Sequence, residues 1–457
     1  MANRVNKKRK RLSGSALDLP LRRMLVVALA SGALAAFVPD AAASTPEGAA
    51  LGLQPAATIT NPVLASPVSR WTLERLVETA LDAHPSVLAR RADVAAAEAG
   101  VEGAGWQFFP TPSLRGERFE GKQVMVFGLR QPLWTGGRLT ADLDAARSRL
   151  AVANRSVDEV RFDLAQRVAA AWANLLSMDG RIEAYTAGVQ QLETLEAMMA
   201  RRLATRLSAQ VELDLLQARL AQARSDLAQA QADQRAGVEA LSQLVGKPIT
   251  AAQLAALVEE AGASVRDSAN EQWVEQGLVF NPALKRLVAE VEAAGARVAQ
   301  ARAAVWPSLY ARVDHQEGQI TGTLPADTRV YVGFEHSFGA GLSTATAIRA
   351  AEAGQTAARE ALQAARREVA ARIVADIEGY RAARQYATGA AANLAALDQV
   401  SESYRRMFLA GKRGWLDLLN MIREQTEAAR MLSAVRVQVA LQSFRLKLHR
   451  GEVSWGL

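Results

Sequence analysis

The sequence predicts a mainly α fold in which long antiparallel coiled-coil helices are interrupted by two short pairs of strands. Three observations predict it. The chain repeats itself once along its length, each copy carries an apolar pattern stepping by 3 and 4 over about 65 residues, and each copy holds two short stretches of alternating apolar residues.

The repeat organises everything else. HPSVLARRADVAAAEAGVEGAGWQFFP, His84 to Pro110, aligns without gaps on NPALKRLVAEVEAAGARVAQARAAVWP, Asn281 to Pro307, at an offset of 197, with both prolines in register. Further along the offset becomes 205, as Gly128 matches Gly333, Glu212 matches Asp417 and Gly246 matches Gly451. The second copy therefore has extra residues between Pro307 and Gly333. The chain divides into residues 71–246 and 271–457, joined by a connection over 247–270.

Each half has the same plan. The spacing predicts a first helix from Thr72 to Phe108 that ends at a proline, with Thr72 as N-cap. Two strands follow, Ser113 to Phe119 and Lys122 to Leu133, and the second half offers Leu309 to Gln316 and Arg329 to Phe338, so the hairpins cover 113–133 and 309–338. Glycines in WTGGR (Gly136, Gly137) and FGAGLS (Gly339, Gly341) then bend strand into helix. A phosphate loop is excluded there, because neither stretch has the Lys-Ser/Thr pair or the full dinucleotide spacing.

The long helix follows. Leu143, Ala146, Leu150, Ala153, Val157, Val160, Leu164, Val168, Ala171, Leu175, Met178, Ile182 and Tyr185 form a coiled-coil seam rich in alanine, which lets neighbouring helices approach closely. A break at Thr205 to Ser208, and at Gly411 to Gly414 in the second half, precedes a returning helix of about 38 residues. At 1.5 Å per residue the long helix spans about 100 Å and each shorter one about 55 Å, so two short helices end to end match one long one. Two hairpins supply four strands with exposed edges, too few to close a barrel. Both the strands and the helical wall are completed if several chains share one barrel. Three chains would give about twelve strands.

Charge and composition narrow the function classes. The first 43 residues hold 8 of the 54 Lys+Arg and 2 of the 47 Asp+Glu, leaving 46 against 45, so the basicity is confined to a leader and a nucleic-acid face is not expected. That leader, residues 1–43, reads as a secretory signal: NKKRKR and Arg22-Arg23, the apolar run Met24 to Val38, then Ala41-Ala42-Ala43. Residues 44–70, rich in Pro, Ala and Thr, read as a flexible lead-in. No later stretch approaches a transmembrane helix, so a membrane would be crossed by strands. With no cysteine, disulfides, thiolate metal sites and a lipidated Cys are excluded. His84, His315, His336 and His449 are the only histidines, and none stands at metal-ligand or general-base spacing with an acidic partner. Neither a cofactor nor an enzyme activity is expected. Trp134, Trp306, Phe338 and Tyr310 fall near strand ends, where an aromatic belt or ordinary junction packing would place them.

From Trp71 onward the chain resembles the TolC family of outer-membrane exit ducts. The resemblance rests on the duplicated helix, hairpin, long helix and returning helix; on HPSV and NPAL; on LRQPLWTGGR, Leu129 to Arg138; and, most specifically, on FLAGKRGWLDLLN, Phe408 to Asn420. It implies a fold mainly α with a small membrane β-barrel: four strands per protomer in a trimeric 12-strand barrel, continued by an α-barrel through the periplasm.

The resemblance also implies a periplasmic gate near 411–414, closed by an Arg, a Tyr and two Asp. The Arg falls on Arg413 and the first Asp on Asp417; the Tyr position holds Phe408 and the second Asp position holds Asn420. One ring of three carboxylates from Asp417 is then expected, and the loss of the Tyr hydroxyl loosens the latch. Gly411 and Gly414 turn the chain, and Lys412 is available for adaptor docking. Read from the residues alone, Arg413 and Asp417 are equally an i, i+4 surface pair, and Glu212 a solvated helix residue.

The implied partners are a homotrimer, a periplasmic adaptor (membrane fusion) protein, outer-membrane lipid, and an inner-membrane ABC transporter or efflux pump. The Arg-Gly turn before Trp415-Leu416-Asp417-Leu418-Leu419-Asn420 is most similar to the branch serving type I secretion of adhesins or other unfolded proteins. Multidrug efflux is the alternative, and a structural periplasmic coiled-coil scaffold a third reading that leaves the strands without purpose.

Overall fold

The computed structural model describes residues 70–119, 122–254, 270–318, 326–337, 339–340 and 343–453. The expected signal segment, nearly all of the lead-in, most of the 247–270 connection, Phe338 and Gly341 lie outside the described residues. In chain order the elements are α1 (Leu73–Ala83), α2 (Pro85–Trp106), β1 (Thr111–Phe119), β2 (Lys122–Trp134), α3 (Arg138–Ala204) and α4 (Gln210–Val245), then α5 (Asn270–Phe280), α6 (Pro282–Ala303), β3 (Ser308–Glu317), β4 (Ala326–Glu335), α7 (Thr344–Leu409) and α8 (Trp415–Arg450). Both expected offsets survive in the element boundaries. α2 and α6 start 197 residues apart, while α4 and α8 start and end 205 apart.

The expected single first helix is instead two helices, broken at His84. Its apolar spacing runs on through the break, but Pro85 cannot donate to the preceding turn and pushes His84 into extended backbone. His84 then caps α2 with its own side chain, Nδ1 accepting from Ser86 N at 3.2 Å. The second half repeats the device with another residue: Asn281, ahead of Pro282, accepts at Oδ1 from Leu284 N at 3.2 Å. Thr72 caps α1 as expected, accepting from Arg75 N.

α3 is the spine, at 67 residues about 100 Å long. Along one stretch it packs on α2 and α6, with α7 beyond α6; along the other it packs on α4 and α8, with α7 beyond α8. The expected stacking of two short helices against one long one therefore holds. Where α3 and α8 touch, their backbones approach so closely that a Cβ at Gly180 would fall 2.5 Å from Ser433 Cβ, and one at Gly188 would fall 2.6 Å from Thr426 Oγ1.

Among the described residues three apolar cores hold the rods together. One joins α1, α3, the end of α4 and the end of α8 around Leu76, Leu164, Leu175, Leu241 and Leu448. Another joins α5, α6, α7 and α8 around Trp273, Ile373, Ile377 and Leu446. The third lies at the far ends of the long helices, around Leu195, Met199, Leu216, Phe408, Trp415 and Leu418. Burial of side chains of this size stabilises each by roughly 1.5–3 kcal/mol.

The four strands form one antiparallel sheet in the order β1-β2-β3-β4, so the hairpins of the two halves pair with each other through β2 and β3. The strands depart from the expected limits by at most three residues, with Phe119 and Lys122 where expected, and the extra residues of the second half fall in the β3–β4 hairpin.

Candidate functional site

The sheet has two unlike faces. Cross-strand register puts Leu114 opposite Phe127, Leu129 opposite Val313, Val313 opposite Val330, and Leu309 opposite Phe334, all on one face. This apolar face is bare: Val330, Val332 and Phe334 are 72%, 70% and 79% exposed. The opposite face carries Arg130, Tyr310, Arg312, Asp314 and Glu335. There Arg312 Nε donates to Asp314 Oδ1 at 2.6 Å, Arg130 reaches Glu335 at 2.6 Å, and the Arg130 guanidinium lies 3.8 Å above the Tyr310 ring. Gly128 sits among these groups because a Cβ would fall 2.5 Å from Ser113 Oγ and 2.9 Å from Asp314 Oδ1. Apolar-out, charged-in alternation is the pattern of a strand between hydrocarbon and water.

At the other end, α7 turns into α8. Lys412 N donates to Met407 O and Gly411 N to Phe408 O, and Gly411 takes φ +73°, the left-handed conformation that ends a helix at least cost in glycine. The first-half turn has the same backbone, with Leu207 N on Arg202 O and Arg206 N on Leu203 O, yet its left-handed position holds Arg206 at φ +60°. Gly414 departs from expectation. It is the N-cap of α8 in extended backbone, φ −74° and ψ 156°, much like its repeat partner Ala209, so its conformation does not demand glycine.

The gate residues expected at this turn separate into two groups. Arg413 Nη1 lies 3.4 Å from Asp417 Oδ2, both side chains half exposed, and Asn420 stands exposed one turn further along α8. Lys412 is exposed. Phe408, in contrast, is only 4% exposed and belongs to the apolar core with Trp415 and Leu418, with the Arg202 guanidinium 5.2 Å from its ring. A ring without a hydroxyl has nothing to satisfy there. Tyr404, one turn earlier on α7, was not anticipated: its ring lies 4.6 Å beneath the Arg413 guanidinium. The only sequence signal for it was its place four residues before Phe408 on the same helix stripe.

Other expectations are placed as follows. Gly136, Gly137 and Gly339 all take positive φ, at +61°, +84° and +69°, and a Cβ on Gly136 would lie 2.1 Å from Trp306 Cβ. Glu212 caps its own helix, accepting from Ala209 N at 3.2 Å. One histidine does gain an acidic partner through the fold, outside the metal-ligand and general-base spacings considered in the sequence. His449 Nε2 donates to Asp376 Oδ2 at 2.9 Å, joining α8 to α7 with His449 buried and Asp376 partly so, a pairing 73 residues apart that spacing could not show. It lies in the helix core beside Phe162 and reads as a buried cross-link. Among the described residues no group of His, Asp and Glu is arranged to hold a metal ion.

Comparison with known proteins agrees with this architecture. Residues 76–247 match the family model described as outer membrane efflux protein. No curated protein matches the chain in sequence. Among solved structures, a membrane protein from Pseudomonas aeruginosa superposes with TM-score 0.71 at 16% identity, over 86% of this chain and 98% of that one. The outer membrane protein VceC of Vibrio cholerae gives 0.68 at 17%, over 83% and 95%, and the CmeC outer membrane channel of Campylobacter jejuni 0.72 at 14%, over 84% and 86%. The fold is that of the TolC-like outer-membrane channels, and the resemblance seen in the sequence extends to the whole helix and strand order.

Proposed function

We propose that the chain is one protomer of a trimeric outer-membrane exit duct, a passive water-filled conduit working with a periplasmic adaptor and an inner-membrane pump. The observation that carries this is the four-stranded sheet with a bare apolar face, a charged face, and β1 and β4 as open edges. Such a sheet is stable in lipid only when further copies close it. Two copies would make an eight-strand barrel, whose interior is filled by side chains; three make one with a bore.

In this reading the α7–α8 turn is the periplasmic gate. Arg413, held between Tyr404 and Asp417, is its latch; Asp417 supplies one ring of three carboxylates on the axis, and Asn420 leaves the second ring position uncharged. The exposed turn at Gly411, Lys412 and Gly414 is available to the adaptor. For cargo, the turn motif supports type I secretion of unfolded protein with an ABC transporter. Efflux of small molecules is the second reading, favoured by the family model that residues 76–247 match.

Single-channel conductance in planar bilayers tests the duct. Wild type should show low conductance that rises in Arg413→Ala, and cation preference that weakens in Asp417→Ala. Absence of channels from a folded oligomer would overturn the reading.

A further inference from the structure

The duplication carries over to strand pairing. Thr111 faces Arg130 in the first hairpin and Ser308 faces Glu335 in the second, positions 197 and 205 residues on, so the two hairpins share one register. The junction between them, β2 on β3, sets Arg130 against Arg312 and Leu129 against Val313. Moved on by the same offsets, that junction becomes β4 against the β1 of another copy, with Glu335 opposite Arg115 and Phe334 opposite Gly116. The strands of a closed barrel share one tilt and stagger, so a junction between copies should repeat the junction within a copy.

Strand length favours this register. β2 runs on past Arg130 to Trp134, through a bulge between Pro132 and Trp134, because β3 is there to pair with it. β4 stops at Glu335, level with Arg130 in the repeat, where β3 gives out at Ser308. His336 and Ser337, the counterparts of Gln131 and Pro132, would face Leu114 and Ser113 of the next copy. Volume favours it too. Gly116 has open space where a Cβ would stand, and Phe334 is 79% exposed on the same face of the sheet. A ring laid over a glycine on the facing strand covers both, where Leu129 and Val313 fill the corresponding place within the chain. The third support is glycine against acid. Gly128 stands between Ser113 and Asp314; its counterpart Gly333 stands against Tyr310 on one side and, in this register, against Glu117 of the next copy, the counterpart of Asp314, on the other.

We infer that β4 pairs antiparallel with β1 of a second copy of this chain in a single register, Glu335 opposite Arg115 and Phe334 opposite Gly116. This rests on the proposed duct and deepens it, by naming the residues at which the copies meet. Slipped registers fit worse. A one-residue slip turns charged residues of one copy onto the apolar face of the next. A two-residue slip in one direction puts Glu335 opposite Glu117, like charges directly across the junction; in the other it takes the Phe334 ring off Gly116 and sets it against Leu114. Glu335 is already held by Arg130 of its own chain, so Arg115 matters less as a second bond than as the residue that keeps Glu117 away from it.

The chain has no cysteine, so introduced pairs report without background. Facing residues on neighbouring strands hold their Cβ atoms about 4.5–5.5 Å apart, within reach of a disulfide after a small adjustment. The test is copper-phenanthroline oxidation of membranes carrying the double variant Gly116→Cys, Phe334→Cys, followed by electrophoresis in SDS without reductant. Conversion of most of the chain to a covalent trimer that dithiothreitol returns to monomer is expected, with severalfold less from the slipped pairs Leu114→Cys, Phe334→Cys and Arg118→Cys, Phe334→Cys. The pair Arg115→Cys, Glu335→Cys asks the same question on the charged face, and decides it if losing the Phe334 ring hinders assembly. Conducting protein that cross-links best at a slipped pair, or equally at every pair, overturns the register and leaves the duct standing. So do products whose mass is not a multiple of this chain, which would put another protein on the edges. Wild-type protein that is folded yet monomeric and forms no channels overturns both.

Discussion

Arg130 on β2 and Glu335 on β4 occupy the same position in the two repeats, 205 residues apart, and pair with each other at 2.6 Å across the intervening β3. Duplication alone would have put like residues there. The two copies have instead diverged to opposite charge, which ties one half's hairpin to the other's on the charged face.

The pair is largely exposed and solvent-screened, so a double-mutant cycle of Arg130→Gln and Glu335→Gln read by thermal melting should show a small favourable coupling that shrinks further as salt is added. Arg130 also stacks on Tyr310. Arg130→Gln should therefore be the more costly single change. Equal costs would show that the stacking contributes nothing.

Arg206 is the described non-glycine residue with positive φ, at the turn whose repeat partner is Gly411. A side chain in the left-handed region costs about 1 kcal/mol. Arg206→Gly should raise stability by about that amount, offset by the looser unfolded chain, and Gly411→Ala should lower it comparably. Denaturant midpoints with unchanged slopes would check both; a destabilised Arg206→Gly would mean that Arg206 makes contacts outweighing its strain.

His84 and Asn281 do the same job with different chemistry, and only one titrates. Burial first, and then the Arg167 charge, lowers the His84 pKa, and protonation would also remove Nδ1 as the acceptor of the cap. A base with a lowered folded-state pKa contributes stability fully present above its unfolded value, near 6.5, and lost as pH falls toward the folded value. His84→Asn, copying the second half, should keep a cap worth about 1 kcal/mol and flatten the decline of stability between about pH 7 and 5. An unaltered pH profile would remove His84 as its source.

Much of the fold was legible because repeat register and helix period are local information. The length of α3 and the alternation in β2 follow from residues close in sequence, and the offsets of 197 and 205 from comparing two such stretches with each other. The break at His84 was missed because Leu76, Ala80 and Val87 keep their period across it, and only the Pro85 geometry decides. Trp134 could be placed near a strand end but not on a face, since the bulge that turns it depends on pairing with β3. His449–Asp376 and Arg202 over Phe408 join distant stretches and leave no spacing to read. At the α7–α8 turn, the family resemblance put Phe408 in a latch, whereas the fold buries it in the core and brings Tyr404 to Arg413.

That exchange gives the proposed gate a test of its own. The Tyr404 ring lies beneath the Arg413 guanidinium, so its face, which is the electron-rich part, is what orients the cation toward Asp417. Tyr404→Phe keeps that face and should leave single-channel conductance as in wild type. Tyr404→Ala removes it, freeing Arg413 from one of its two contacts, and should raise conductance in the direction of Arg413→Ala. The double variant Tyr404→Ala, Arg413→Ala should add little beyond Arg413→Ala, because both act on one contact. If Tyr404→Phe opened the channel as much as Tyr404→Ala, the hydroxyl would be the latch group. If neither changed it, Arg413 would be held by Asp417 alone, and the ring would belong only to the apolar core around Leu195, Phe408 and Trp415.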